Sequence, residues 1–186
     1  MFLDLKKKIQ KSKVYSAPFP YLAMDNFLPK KNLKSLNKIL PSYDELQGEG
    51  LLFQSTSQTK KSIFPSSKQF KNLNKKKSFK ELNLIFKRLQ PILVKKFAKY
   101  IDNHTTINSK KVKLNYHFSY SVMRKGYLKS SHIDRRDHLI HGILYPYSDH
   151  HNGGDILINE LKKKKKYFDV FPKKKDMRIN KKFKVR

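Results

Sequence analysis

The order of apolar patterns along the chain predicts an α+β fold, with helices in the first half packed on one face of an antiparallel sheet or jelly roll built by the second half. Three observations carry that expectation. Residues 78–101 repeat apolar side chains at helical spacing. Residues 111–123 then switch to strict alternation, the period of a half-buried strand. Beyond them, apolar runs bounded by glycine and polar turns follow one another, so helices come first and consecutive strands later.

Residues 1–17 read as a basic lead-in holding a helical turn or two, ahead of a single domain spanning 18–186. "PFPYLAMDNFLP", residues 18–29, is aromatic, apolar and bounded by proline, and reads as a short strand entering the core. Leu33, Leu36, Ile39 and Leu40 then share one helical face, with Pro41 as a stop. Residues 42–77 are polar and loop-like, "NLNKKKS" included, with short strands expected near Leu51–Phe53 and Ser62–Phe64. Ser78 and Glu81 have the spacing of a capping box. They open a helix whose buried stripe is Phe79, Leu82, Ile85, Phe86 and Leu89. Pro91 lacks the amide donor, so it is expected to kink or split that helix and leave "PILVKKFAKYI" as a second piece.

In "KVKLNYHFSYSVM", Val112, Leu114, Tyr116, Phe118, Tyr120 and Val122 fall on one side of a strand. Lys111, Lys113, Asn115, His117 and Ser119 take the other. "HLIHGILYPY" and "GDILINEL" read as further strands. The runs "LKKKKK" and "PKKKD" read as solvated loops or as protection of a strand edge.

Composition narrows the function. A length of 186 residues suits one domain, and 13 Phe with 10 Tyr supply the area for a core. With no cysteine, disulfides and thiolate-bound zinc are excluded, and any metal must be held by His, Asp, Glu and water. "MFLDLKKKIQKSKV" lacks the apolar centre of a secretion signal. No run approaches the roughly 20 apolar residues of a membrane span. The expectation is a cytoplasmic protein with no membrane partner. The net charge of +29 admits two readings. One is affinity for nucleic acid through counterion release. The other is an AT-rich gene, which yields much Lys, Asn, Ile, Phe and Tyr and little Ala, Gly or Arg. The lysines spread from end to end, which favours the second reading and leaves nucleic acid an unfavoured partner.

The chemistry concentrates in "KSSHIDRRDHLIHGILYPYSDHHNGGDILI", residues 129–158, which holds five of the seven histidines. In an extended strand, residues two apart point to the same face. A ring nitrogen of His132 and a carboxylate oxygen of Asp134 can therefore bind one ion. A third ligand from a distant strand would complete the facial triad of two histidines and one carboxylate used for non-haem Fe(II). The dipeptide pattern alone is common. Its setting sharpens it: an alternating strand before it, Gly126 at the turn between, an apolar run after it, and then "NGGDILI".

That order resembles the Fe(II)- and 2-oxoglutarate-dependent oxygenases, in the branch similar to prolyl 4-hydroxylases. The matching residues are His132-Ile133-Asp134, then Ile143-Leu144-Tyr145, then Gly153-Gly154-Asp155-Ile156-Leu157. "PFPYLAMDNFLP" is similar to the family's entry strand, so the likeness runs from about residue 18 to the end. The resemblance implies a double-stranded β-helix (jelly roll, cupin-like) with N-terminal helices on one face. It implies His132 and Asp134 as iron ligands, and Tyr145 as a contact to 2-oxoglutarate, although a core aromatic is an equal reading of Tyr145. Gly153 and Gly154 would form a turn. The implied cofactors are Fe(II) and 2-oxoglutarate, with ascorbate as an accessory. O2 would be co-substrate, and an unidentified peptide or small molecule would be hydroxylated as 2-oxoglutarate becomes succinate and CO2.

The likeness stops short at one place. The family's second histidine ligand, and the Arg or Lys that pairs with the distal carboxylate of 2-oxoglutarate, belong to a later strand, yet no histidine follows His151. His138, His141, His150 and His151 are not placed like that ligand. The expectation is an incomplete domain lacking its last strands, with weak or no activity as it stands. Two other classes stay open: a basic nucleic-acid-binding module, and a non-catalytic jelly-roll interaction protein.

Overall fold

The longest apolar periodicity of the sequence becomes the longest element, helix α4, Lys77–His104. In this computed structural model the described residues are 1–17, 19–46, 59–104, 108–111, 113–124 and 139–146, with the backbone of 156–161 and 177–183. The chain divides into two units, one of residues 1–14 and 22–127, the other of 15–21 and 128–186. Among the described residues there are four helices and two separate two-stranded antiparallel pairs.

In the first unit, three shorter helices pack on α4: α1 (Phe2–Lys11), α2 (Lys30–Asn37) and α3 (Lys68–Lys75). The expected lead-in is thus a ten-residue helix rather than a turn or two. Its Leu5 and Ile9, four apart on one face, are each 1% exposed. Lys96 of α4 donates to the Gln10 carbonyl at 2.6 Å, satisfying an acceptor at the end of α1 that has no helical partner. Lys8 donates to the Asn26 carbonyl at 2.8 Å. Asn26 has φ 50°, a left-handed conformation that Asn tolerates better than most residues. Helix α2 buries Leu36 and ends at Asn37, before the expected stop at Pro41.

Helix α3 replaces the loop expected over "NLNKKKS". Ser67 caps it, its hydroxyl accepting from the Phe70 amide at 3.1 Å. Phe70 and Leu73 are buried one turn later. Lys76 is extended and separates α3 from α4. Its carbonyl accepts from the Phe79 and Lys80 amides at 3.1 and 3.0 Å. Ser78 therefore sits inside the first turn of α4, and the start is set by the break at Lys76, not by a capping box at Ser78.

On α4, Phe79, Leu82, Ile85, Leu89, Val94 and Ile101 are buried. Pro91 neither ends nor divides the helix. The reason lies in its position. Pro91 and Lys87, whose carbonyl loses its partner, are both exposed, so water can satisfy the freed acceptor.

The alternation of residues 113–120 is visible as burial. Lys113, Asn115, His117 and Ser119 are exposed, while Leu114, Tyr116 and Phe118 are partly buried and Tyr120 is buried. Phe118 is the centre of an aromatic cluster. Its ring centroid lies 5.3 Å from Phe79, 5.5 Å from Phe86, 6.1 Å from Phe70 and 6.3 Å from Tyr116. Phe86 also stacks on Phe27 at 5.7 Å. These separations fall in the favourable range for ring pairs. The Tyr116 hydroxyl donates to the Asn83 carbonyl at 3.2 Å. Burial pushes its ionisation well above the ordinary phenol value.

The alternating stretch ends in β2 (Tyr120–Met123), which pairs antiparallel with β1 (Lys60–Ile63) in the register Lys60↔Met123 to Ile63↔Tyr120. Ser62 and Ser121 face each other and share a hydroxyl hydrogen bond of 2.7 Å. The Tyr120 hydroxyl donates to the Pro41 carbonyl at 2.9 Å.

In the second unit, β3 (Ile156–Leu161) pairs antiparallel with β4 (Met177–Phe183). The register shifts after Ile158↔Lys181 to Asn159↔Ile179, so Asn180 is the extra residue of a bulge. "PFPYLAMDNFLP" does not form the expected strand. Among its described residues only Tyr21 pairs, with Tyr15, through bonds of 2.9 and 3.0 Å. Two prolines in four residues remove the donors a longer ladder needs. The Tyr15 and Tyr21 rings stack at 5.0 Å.

Because Phe79 is 1% exposed and touches two other rings, Phe79→Ala is expected to cost about 3–5 kcal/mol in chemical denaturation. Leu84→Ala on the exposed side of the same helix (45% exposed) is expected to stay within about 0.5 kcal/mol.

Candidate metal centre

The expected iron ligands His132 and Asp134 lie outside the described residues, as do His138, His150, His151, Gly153 and Gly154. The structure describes the chain on both sides of them. On the approach, the Arg124 amide donates to the Thr59 carbonyl at 2.8 Å, one step beyond the β1–β2 ladder. Its guanidinium pairs with Asp44 and lies 4.1 Å over the Tyr43 ring. Lys61 stands 4.6 Å from the same ring. An exposed ion pair alone contributes little. Here the cation also stacks on an aromatic face, which adds about 0.5–1 kcal/mol at an exposed site. The last described residue before His132 is thereby fixed by three groups, eight positions ahead of it. No local pattern signals this cluster, because Asp44 and Arg124 are 80 residues apart.

On the far side, residues 139–146 carry no strand, contrary to the reading of "HLIHGILYPY". His141, Gly142 and Ile143 are exposed in succession, where a half-buried strand would alternate. Tyr145 is 36% exposed, against 3% and 1% for the core rings Phe70 and Phe79, so its surroundings are not those of a core aromatic. Strand β3 begins at Ile156, the second residue after Gly154, where "GDILINEL" was expected to be extended.

The described carboxylates are largely engaged elsewhere. Asp4 pairs with the N-terminal amine at 3.1 Å. Glu45 accepts from the Ser42 amide at 2.7 Å, and that bond holds its carboxyl below the usual range. His117, on the exposed side of its strand, lies 5.8 Å from the Phe64 ring. An open groove of about 590 Å³ lies between the second half of α4 and Ser109, Lys110 and Leu114, floored by Pro91, Val94, Ala98 and Leu114. Among its described lining residues the one carboxylate, Asp102, is committed. It accepts from the Ser109 amide at 2.7 Å and from the Ser109 hydroxyl at 2.8 Å. Among the described residues, no group of three His, Cys, Asp or Glu could hold a metal. Nor, among them, is any helix long and apolar enough to cross a membrane. No family model, curated protein or solved structure matches the chain.

The Ser109 amide, more than its hydroxyl, holds the Asp102 carboxyl below its ordinary value of 3.8. A depressed carboxyl stabilises the fold above its unfolded value and loses that contribution as pH falls through the folded one. The turn after α4 is therefore expected to be intact above pH 3.8 and to loosen below it. Ser109→Ala keeps the amide and removes the hydroxyl. It should raise the Asp102 value part of the way toward 3.8, read by NMR titration of the side-chain carboxyl.

Proposed function

We propose that the chain is an Fe(II)- and 2-oxoglutarate-dependent oxygenase similar to prolyl 4-hydroxylases, built on a double-stranded β-helix. In this reading His132 and Asp134 hold the iron and Tyr145 contacts 2-oxoglutarate. The observation that carries the proposal is order along the chain. An alternating stretch ends at Met123, and H-x-D follows at 132–134. Ile143-Leu144-Tyr145 comes next, then Gly153-Gly154 directly ahead of strand β3.

The donor set suits the ion. The chain has no cysteine, and imidazole with carboxylate is the ligand chemistry of non-haem Fe(II) sites. His132 would give a ring nitrogen and Asp134 a carboxylate oxygen from one strand face. These are two of the three protein ligands such a site uses, and no residue is assigned as the third. When bound, iron and 2-oxoglutarate would let O2 act as the oxidant, one oxygen atom entering a substrate C–H bond as hydroxyl and the other entering the succinate formed, with CO2, from 2-oxoglutarate. The protein contributes orientation and exclusion of water. Tyr145 is 36% exposed, and a phenol hydroxyl is of the type that donates to a carboxylate oxygen. A cytoplasmic location belongs to the same proposal, since reducing conditions keep iron ferrous. The substrate would be a peptide or small molecule.

Anaerobic titration with Fe(II) and then 2-oxoglutarate tests this reading. The expected result is saturable binding with a charge-transfer absorption that needs both components. Its affinity should fall at least tenfold in His132→Ala and in Asp134→Ala. Binding that is indifferent to both substitutions would overturn the proposal. Tyr145→Phe should leave Fe(II) binding unchanged and weaken 2-oxoglutarate about fivefold, the loss of one hydrogen bond of about 1 kcal/mol.

A further inference from the structure

The exposed side of α4 displays a charge pattern that the linear sequence hides. Lys77, Lys80, Lys87, Arg88, Lys95 and Lys99 are all exposed. At 3.6 residues per turn they fall within an arc of about 120°, in three pairs whose centres are roughly 14 Å apart. From Lys77 to Lys99 the stripe is about 33 Å long at the helical rise. Among the described residues, none of these six cations has a hydrogen-bond or ion-pair partner. Lys96 lies outside the arc and is the α4 lysine that binds α1, through Gln10.

The surroundings are equally one-sided. Residues 68–99 hold eleven Lys or Arg and a single carboxylate, Glu81. These 32 of 186 residues, about a sixth of the chain, carry ten of the 29 net charges, about a third. An even spread set by gene composition would give half of that.

We propose that this stripe binds the phosphate backbone of double-stranded nucleic acid. Its length matches one helical turn of a duplex, about 34–36 Å, along which phosphate charges recur every 1.7 Å or so. The arc carries no aromatic side chain on which unpaired bases could stack, which disfavours single strands. Its exposed apolar side chains are Leu84 and Pro91, too little to enter a lipid interface. Binding of this kind is non-specific and electrostatic. It goes beyond the oxygenase reading and does not depend on it.

Fluorescence anisotropy of the full chain with a labelled 24-base-pair duplex of arbitrary sequence, across 50–200 mM NaCl, tests the stripe. Two triple variants carry the same loss of charge: K87Q/R88Q/K95Q on α4, and K30Q/K31Q/K34Q at exposed positions of α2. Gln matches Lys and Arg closely in helix propensity, and circular dichroism checks that helicity is kept. The wild type is expected to bind with a log–log salt slope near −5, about 0.9 per phosphate contacted. The α4 triple should weaken binding tenfold or more and flatten the slope by about 3. The α2 triple should shift affinity less than threefold. Equal weakening by both triples would mean that diffuse net charge, not the stripe, binds the duplex, and would overturn the proposal. So would failure to bind the duplex, or tighter binding to single strands or to phosphatidylserine vesicles.

Discussion

The packing of Phe118 against Phe70, Phe79, Phe86 and Tyr116 is the constraint on which the first unit depends. It joins one helix, α3, to a second, α4, and fastens to both a stretch of chain that has no ladder partner of its own until Tyr120. With Phe118 inward, strand geometry turns Leu114, Tyr116 and Tyr120 inward too, and sends Lys113, Asn115, His117 and Ser119 to solvent. A slip of one residue would bury Lys113 and His117 and expose three rings, so the register is strongly fixed. That register brings Ser121 opposite Ser62 and sets Arg124 where Tyr43 and Asp44 hold it. The point from which the chain sets out toward His132 is thus a consequence of one aromatic cluster.

Where the sequence was legible, the controlling interaction was local or periodic. The α4 stripe at Phe79, Leu82, Ile85 and Leu89 and the alternation up to Tyr120 repeat often enough to be read directly. Helix α3 is hard to read because its eight residues offer just two buried side chains, Phe70 and Leu73, among lysines that carry no apolar period and asparagines that favour turns. Ser67 three residues before Phe70 was the signal that could have found it. The strand expected over "PFPYLAMDNFLP" failed for the opposite reason. Its apolar content points to a strand, but its prolines remove donors that a ladder needs. The break at Pro91 failed because its cost depends on whether water can reach the Lys87 carbonyl, and burial of a carbonyl is not written in spacing.

Helix α4 has to serve two solvents at once. Its inner face supplies much of the apolar burial of the first unit, while its outer arc crowds like charges that repel one another. An exposed proline inside the helix and unpaired lysines along it are both tolerated because tertiary packing, not intrinsic propensity, holds most helices in place. The inner face therefore makes the outer one affordable in free energy, and the outer face is available to a partner that the core does not constrain.

The chemistry-bearing stretch obeys a different logic from the core. "KSSHIDRRDH", residues 129–138, has one apolar residue, Ile133, among ten. Hydrophobic periodicity has almost nothing to read there, and area burial cannot set the geometry of its ligands. What remains legible is donor identity and order: imidazole and carboxylate two apart, a tyrosine eleven residues on from the aspartate, and a glycine pair before a strand. The geometry of the proposed metal site would have to come from its neighbours and its ion. The ion's preferred geometry and hydrogen bonds from surrounding groups to the ligands orient metal-binding side chains.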